Sequence, residues 1–371
     1  MNRKRIAWKP LIAAAAVAVC LGLVLNALPE DGLLAFGQKT ALAMVGLQQP
    51  DDAARLLSER LDRKPAADSG QSATGGPSAT GSPTFSDTEQ NPSGQTATTA
   101  PPVVVPEENG TGGKISEQLM SLGSGFVQGV ALKNKSGKTF DLAKELGILP
   151  DVHIVDTSEP QVLILHTHTT ESYMPYDAGY YNEGDTPRTS DNPYSVRGVG
   201  DVIAAQLQAA GIGVIHDTTI HDSPYSGAYT RSEATANEVL KKYPTIKVVL
   251  DVHRDGIMLD STTKVKPTAE INGKKAAQIM MICGVVSTDS IPHPHWAENF
   301  HFALQLQKAL AADYRELVRP LSLVASRYNQ HVANGALLVE FGSEANTFAE
   351  ASYSAELFGQ TLVKVLQSLH A

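Results

Sequence analysis

Three apolar runs in this chain end in ionisable residues. Val162-Leu-Ile-Leu165 runs into His166-Thr-His168-Thr-Thr-Glu171. Ile246-Lys-Val-Val-Leu250 runs into Asp251-Val-His253-Arg254-Asp255, and Leu337-Leu-Val339 into Glu340-Phe-Gly342. Imidazole nitrogens and carboxylate oxygens are donors suited to zinc. A catalytic zinc site uses three such ligands and leaves one position open for water. A further carboxylate can then take the proton of that water. Each residue alone also has a plain reading. A histidine at a strand end can be a satisfied polar residue, one imidazole of a His-x-His pair can simply hold a loop, and a Glu after an apolar strand can cap the next element or pair with an arginine. The functional reading needs all three runs to arrive at one place, and that depends on the elements that carry them.

Those elements alternate. Residues 125–150 read as a strand or hairpin followed by a short helix, Leu142 to Leu146. The strand 162–165 comes next, then a helix from Val199 to Ala210 that ends at Gly211, and a strand 213–215. A helix from Thr230 to Lys242 stops before Pro244, with Thr230 or Ser232 as its expected cap. The strand 246–250, an apolar strand from Ala277 to Val286, a helix from Trp296 to Ala311, the strand 337–339 and a helix from Ala355 to Leu369 complete the order. This alternation predicts an α/β fold with a mainly parallel sheet and helices on both faces. In such sheets sites form at the carboxyl ends of the strands. All three ionisable runs lie at such ends, so the sheet itself would gather them.

The sequence ahead of this domain is of another kind. Arg3, Lys4, Arg5 and Lys9 precede an apolar run from about Pro10 to Ala27, enough at ~1.5 Å per residue to cross a bilayer core. The flanking positive charge places the N-terminus in the cytoplasm and the rest of the chain outside. Asn26-Ala27-Leu28-Pro29 is a poor cleavage site, which favours a retained single-pass anchor over a cleaved signal peptide. Four segments follow: 1–29, a cytoplasmic start and transmembrane anchor; 30–65, a juxtamembrane segment with helical spacing from Asp51 to Arg63; 66–112, a Ser/Gly/Thr/Pro-rich linker; and 113–371, the catalytic domain. The linker has too few large apolar residues to offset chain entropy and is expected to be a disordered tether. A span of about 35–40 Å follows from ~5–6 Å × √n. The net charge of −9, with no basic stripe, argues against nucleic-acid binding. Of the two cysteines, Cys20 lies in the anchor and Cys283 in an expected strand, so there is no disulfide framework.

Leu163-Ile-Leu-His-Thr-His-Thr-Thr-Glu-Ser-Tyr173, Val199-Gly-Asp201, Asp251-Val-His-Arg-Asp255 and Leu338-Val-Glu-Phe-Gly-Ser-Glu-Ala-Asn-Thr347 resemble the stage II sporulation protein P family. These are membrane-anchored peptidoglycan hydrolases related to the zinc-dependent N-acetylmuramoyl-L-alanine amidases. The likeness covers roughly 120–371, together with the anchor and tether arrangement. It implies one zinc per domain, removal of stem peptides, cleavage of peptide cross-links, and a lytic transglycosylase partner during engulfment of the forespore. It also implies that His168 and His253 are zinc ligands and Glu340 the general acid/base. The amidases place their third ligand, a Glu, just before the first helix. Arg188-Thr-Ser-Asp-Asn192 stands there in this chain, so Glu171 takes the role, with Asp191 and His166 as alternatives. His166, Arg254 and His331 are candidate auxiliary groups, and Arg231 a candidate substrate contact.

Several features remain open between function and scaffold. Arg254 and Asp255 could form a pair on the rim. His293-Pro-His295-Trp296 could line a substrate groove or simply lead into the next helix. Tyr173, Tyr176, Tyr180 and Tyr181 could stack on sugars or pack a loop. Two rival readings stand beside the amidase. One is a peptidoglycan-binding module that has lost catalysis, which the presence of Glu340 and both histidines opposes. The other is a metal phosphatase, which would need a carboxylate-rich two-metal set where only one full site can be assembled.

Overall fold

The computed structural model describes residues 111–370, apart from 124, 186, 187, 192 and 193. The anchor, the juxtamembrane segment, Cys20 and all but the last two residues of the linker lie outside the described residues. Among the described residues no helix is long and apolar enough to cross a membrane.

The three apolar runs form β3 (Val162–Leu165), β6 (Val248–Asp255) and β11 (Gly335–Ser343). They are buried on both faces, as continuous runs of branched apolar residues require. With β2 (Leu132–Asn134), β5 (Val214–His216), β9 (Ile279–Gly284) and β10 (Leu321–Val324) they make a seven-stranded sheet in the order β2-β10-β9-β11-β6-β3-β5. Every neighbouring pair is parallel except β9 against β11. The sheet is therefore mainly parallel, and β9, β10 and β2 run opposite to the strands that carry the ionisable ends.

Helices cover both faces. On one, α2 (Val196–Ala209), α4 (Trp296–Asp313) and α5 (Phe348–Ser368) bring Ile203, Leu207, Phe300, Leu304, Phe358 and Leu362 against Ile164, Leu250, Val252 and Val339. On the other, α3 (Ala228–Lys242) sets Ala236, Val239 and Leu240 on Leu163, Leu165, Val249 and Ala336. The short α1 (Leu142–Glu145) lies where the sequence placed it. Three helix starts differ from expectation, the first being α2, which begins at Val196 rather than Val199 because Ser195 caps it by accepting from Arg197 N. α5 begins at Phe348 rather than Ala355, because Thr347 and Glu350 form a reciprocal capping box. α3 is not capped by Thr230 or Ser232. Its N-cap is Gly227 in the left-handed conformation, and the Ser232 hydroxyl bonds Tyr229 O and Thr167 instead.

A second, four-stranded sheet lies outside the elements expected from the sequence. β1 (Gly113–Gln118), β4 (Tyr180–Tyr181), β7 (Thr263–Ile271) and β8 (Lys274–Ala277) pair in the order β4-β1-β7-β8. Asn272 and Gly273, both at positive φ, close the β7–β8 hairpin as a two-residue turn. Lys266 of β7 is fully buried and paired with Glu350 (2.7 Å), Asp177 (2.6 Å) and Glu117 (3.4 Å). The network joins β1, the segment after Glu171 and the first turn of α5.

Candidate metal centre

Side chains alternate along a strand, so Asp251 and His253 leave β6 on the same face, the one that α3 covers. The sheet ladder sets Glu340 in register with His253 across the β11–β6 pair, and side chains in register share a face. Neighbouring strands are ~4.8 Å apart. After Glu340 the register shifts through a bulge at Gly342 (φ +68°). A Cβ at Gly342 would lie 2.4 Å from Asn346 Oδ1, so only glycine fits there. The strand end thereby turns away and leaves Glu340 beside His253.

The loop after β3 supplies the rest. His168, Glu171 and His253 are all buried, and their ligand atoms lie within 4.8 Å of one another, a group able to hold a metal ion. Glu171 is the centre: its Oε1 is 3.3 Å from His168 Nδ1 and its Oε2 is 3.2 Å from His253 Nδ1. The backbone N–H of Arg254 donates to Oε2 at 3.2 Å. Behind His253, Asp251 Oδ1 lies 2.8 Å from Nε2 and itself accepts from Thr167 N at 2.8 Å. A carboxylate on the far nitrogen of a ligating imidazole fixes its tautomer and turns the other nitrogen toward the metal. The donor set, two imidazole Nδ1 atoms and a carboxylate in a buried site, fits zinc.

Electrostatics follow from this geometry. Burial disfavours charge on His253, but Asp251 and Glu171 outweigh it and hold the imidazole well above the ordinary histidine range. Burial likewise opposes charge on Glu171, but His253 and His168 hold its carboxyl well below the ordinary range. His168 is pushed down by burial, against the pull of Glu171, which favours the neutral, ligating form. In the metal-free protein a proton on His253 thus occupies the place of a cation between two carboxylates.

The alternatives for the third ligand are not part of this group. Asp191 is exposed in the segment before α2. His166 points to the opposite side of the loop, where Nδ1 meets Val252 O at 2.9 Å and Nε2 meets His216 Nε2 at 2.8 Å. Burial pushes its pKa down to about 3, so it is neutral. Gly200 makes room for this pair, since a Cβ there would lie 2.5 Å from His216 Nε2 and 2.9 Å from His166 Nε2. The sequence motif Val199-Gly-Asp201 finds its reason here, because Asp201 binds His216 Nδ1 at 2.9 Å.

Of the auxiliary candidates only Arg254 adjoins the group. It donates through Nε to Ser172 O. Its expected rim partner, Asp255, pairs its carboxylate with Arg319 at 2.9 Å. His331 precedes β11, at the opposite end of that strand from Glu340, and bonds Glu233. Arg231 donates to the carbonyls of His221, Pro224 and Ser226 and so fixes a loop. His293 follows the end of β9, which runs opposite to β11, so it is far from the metal group. Tyr173 is buried with its phenol in the field of Arg254, Glu171 and Glu340, Tyr176 is buried and donates to Asp185, and Tyr180 and Tyr181 form β4. Sequence reasoning missed Asp251, although Asp-x-His on a strand puts both residues on one face. It also missed Arg188, Asp222 and Tyr225, which reach the site from separate loops and share no spacing signal.

The family model described as Stage II sporulation protein P matches residues 86–363. The curated Stage II sporulation protein P of Bacillus subtilis (strain 168) is 29% identical over 215 residues, 54% of this chain and 50% of the relative. The chain thus spans about half the length of the curated relative it matches. Solved structures similar over part of the chain include the N-acetylmuramyl-L-alanine amidase Ami1 from Mycobacterium smegmatis, with a TM-score of 0.34 and 13% identity over 57% of this chain and 100% of that one. Another is the CwlD amidase from Clostridioides difficile, in complex with the GerS lipoprotein, with a TM-score of 0.35 and 11% identity over 56% of this chain and 99% of that one. With the family model spanning most of its length, the chain belongs to the stage II sporulation protein P family.

Proposed function

We propose that the chain is a zinc-dependent peptidoglycan hydrolase that cuts the N-acetylmuramoyl-L-alanine amide bond, and that it also cuts peptide cross-links, as part of cell-wall remodelling in sporulation. The observation that carries this reading is the buried His168–Glu171–His253 group with Glu340 in register beside it. His168, Glu171 and His253 would hold the zinc. When bound, zinc supplies a Lewis acid that makes water a nucleophile near neutral pH. Glu340 takes a proton from the water as its oxygen attacks the lactyl carbonyl carbon. It then returns that proton to the alanine nitrogen as the carbon–nitrogen bond breaks. Asp251 holds His253 in the ligating tautomer throughout. The sequence features before residue 113 support a retained membrane anchor and a tether, which together would let the domain search the wall layer above the membrane. A lytic transglycosylase partner, acting on the glycan strands, completes the proposal.

The test is hydrolysis of purified sacculi by the zinc-loaded protein, with mass analysis of the products. Release of free stem peptides supports the amidase reading, and shortened cross-linked peptides support the endopeptidase reading. A zinc-binding protein that adheres to sacculi and releases nothing would mark a binding module and refute both.

A further inference from the structure

A set of residues outside the 166–171 loop grips both of its metal-site residues. The Asp222 side chain is fully buried, and its carboxylate accepts from Thr170 N (3.2 Å to each oxygen) and Thr170 Oγ1 (2.7 Å), next to Glu171. Asp222 Oδ2 also accepts from Arg188 Nη1 at 2.5 Å, and the same nitrogen donates to Thr170 Oγ1 at 3.2 Å. The other arm of that guanidinium, Nη2, is 3.8 Å from Glu171 Oε1. The backbones of Glu171 and Arg188 pair as an antiparallel bridge, and Thr189 N donates to Thr170 O at 2.8 Å. The guanidinium also lies over the Tyr225 ring at 4.8 Å. Tyr225 in turn stacks on His168, with centroids 4.8 Å apart and planes 21° apart. Arg231 fixes the loop that presents Asp222 and Tyr225 through its three carbonyl bonds.

We propose that Arg188, held between Asp222 and Tyr225, is a positioning residue that sets Glu171 and His168 in ligating geometry and thereby sets the metal affinity. The proposal rests on the zinc reading of this site. Its physical basis is entropy and charge. A glutamate side chain loses substantial rotamer freedom when it is fixed, and here that freedom is already lost before the metal arrives. A cation beside a metal ligand would by itself oppose the metal. Asp222 cancels the charge of Arg188, so orientation is the effect that remains. Arginine suits the task because its planar fork spans two carboxylates at once, which a lysine cannot do.

The experiment measures zinc affinity of the full chain by competition with a chromophoric chelator, with the melting temperature of the metal-free protein alongside. Arg188→Met is expected to weaken zinc binding about 10–100-fold, the usual scale for outer-shell partners. The metal-free melting temperature should fall too, because the buried Asp222 loses its cation, so zinc affinity is read well below that transition on folded protein. Arg188→Lys should recover part of the loss. Asp222→Asn should weaken zinc at least as much as Arg188→Met, because it leaves the guanidinium uncompensated and drawn onto Glu171. The double variant should lose less than the two single losses combined. Tyr225→Leu, at the solvent-facing end of the clamp, should weaken zinc in the same direction and covers the case in which Arg188→Met fails to fold. Unchanged or tighter zinc in Arg188→Met, or in Tyr225→Leu if the former does not fold, overturns the clamp, provided His168→Ala loses zinc. Unchanged zinc in His168→Ala as well overturns the zinc reading itself.

Discussion

Asp251→Asn perturbs the metal centre without touching a ligand, and its effect can be worked out atom by atom. Asp251 Oδ1 accepts from Thr167 N at 2.8 Å and lies 2.8 Å from His253 Nε2, and Oδ2 accepts from Thr167 Oγ1 at 2.7 Å. An asparagine oxygen at the Oδ1 position keeps both of the first contacts. Its amide nitrogen can donate to Thr167 Oγ1, whose own proton then turns to Ser232 Oγ, 2.7 Å away. The hydrogen bonds from Thr167 and the close approach to His253 survive, and the charge goes. A charge-assisted bond exceeds a neutral one by about 1 kcal/mol, so the metal-free domain should melt only about 2–4 °C lower. Zinc affinity should fall about 10–100-fold, or roughly 1.4–2.7 kcal/mol. The loss should also depend on pH. Asp251 helps raise the pKa of His253, and zinc must displace that proton. In the variant the proton competes less. The ratio of variant to parent dissociation constants should therefore be largest above the folded pKa of His253 and shrink as pH falls. Chelator competition from pH 6 to 9 measures it. Equal affinities at high pH, or a ratio that grows toward acid, would refute the assignment of Asp251 as the group that orients His253.

Three further outcomes are expected. Glu340→Gln keeps the side-chain shape and removes the base, so wall hydrolysis should drop about 10²–10⁴-fold with zinc content retained; loss of zinc instead would make Glu340 a ligand. His166→Gln should flatten acid sensitivity. The pKa of His166 is about 3 in the fold and ordinarily 6.5, so its neutral form is favoured on folding. Its contribution is complete above pH 6.5 and falls as the pH drops toward 3, by up to about 1.4 kcal/mol per pH unit. Denaturant unfolding at pH 7.5 and 5 should show a steeper decline for the parent than for the variant. Lys266→Met strands the buried Glu350, whereas Asp177 and Glu117 keep Lys275 at 3.1 and 2.8 Å, and should destabilise the domain by about 3–5 kcal/mol, read by the same unfolding measurement; an unchanged midpoint would show that the network contributes nothing.

The parts of the site on β-strands were legible in the sequence, and those on loops were not. His253 and Glu340 could be placed together because each follows an apolar run, and a parallel sheet brings such ends side by side; the register of β6 and β11 makes them neighbours. The sequence ranks Glu171 ahead of Asp191 and His166 as the third ligand, but no local pattern decides among them, because all three lie in loops. What separates them is long-range. Val252 O and His216 draw the His166 ring to the far side, whereas Arg254 N and Arg188 draw Glu171 inward. The same limit applied to the fold. The main sheet follows from alternating runs, but the antiparallel entry of β9 beside β11 depends on a connection that no local pattern records. The second sheet has local signals in the Asn272-Gly273 turn and in the alternation of Val265, Pro267, Ala269 and Ile271 with Lys264, Lys266, Thr268 and Glu270, but that polar register reads as a solvated face, whereas Lys266 is buried by partners 84 or more residues away.

That second sheet also bears on where the folded domain begins. The chain after Glu171 does not return directly to the core. Met174 N donates to Asn346 O at 2.8 Å, Asp177 pairs with Lys266, and Tyr180–Tyr181 add to the sheet edge as β4. The partner of β4 is β1, through Gly113 with Tyr181 and Lys114 with Tyr180, and Gly112 N donates to Tyr181 O at 3.1 Å. Glu117 of β1 completes the Lys266 network. The segment that holds Glu171 on its C-terminal side is therefore fastened by the first strand after the linker. A truncation at 114, one residue inside the boundary that the composition shift suggests, removes the pairing of Gly112 and Gly113 with Tyr181. A truncation at 120 removes β1 entirely and leaves Lys266 short of one carboxylate. The former should lose a little zinc affinity and the latter considerably more, in proportion to how far the 172–185 segment is released, whereas His253 and Glu340 on the main sheet stay in place. Equal zinc affinity in the chain begun at 120 and the full chain would show that Glu171 is held by the Arg188 side alone.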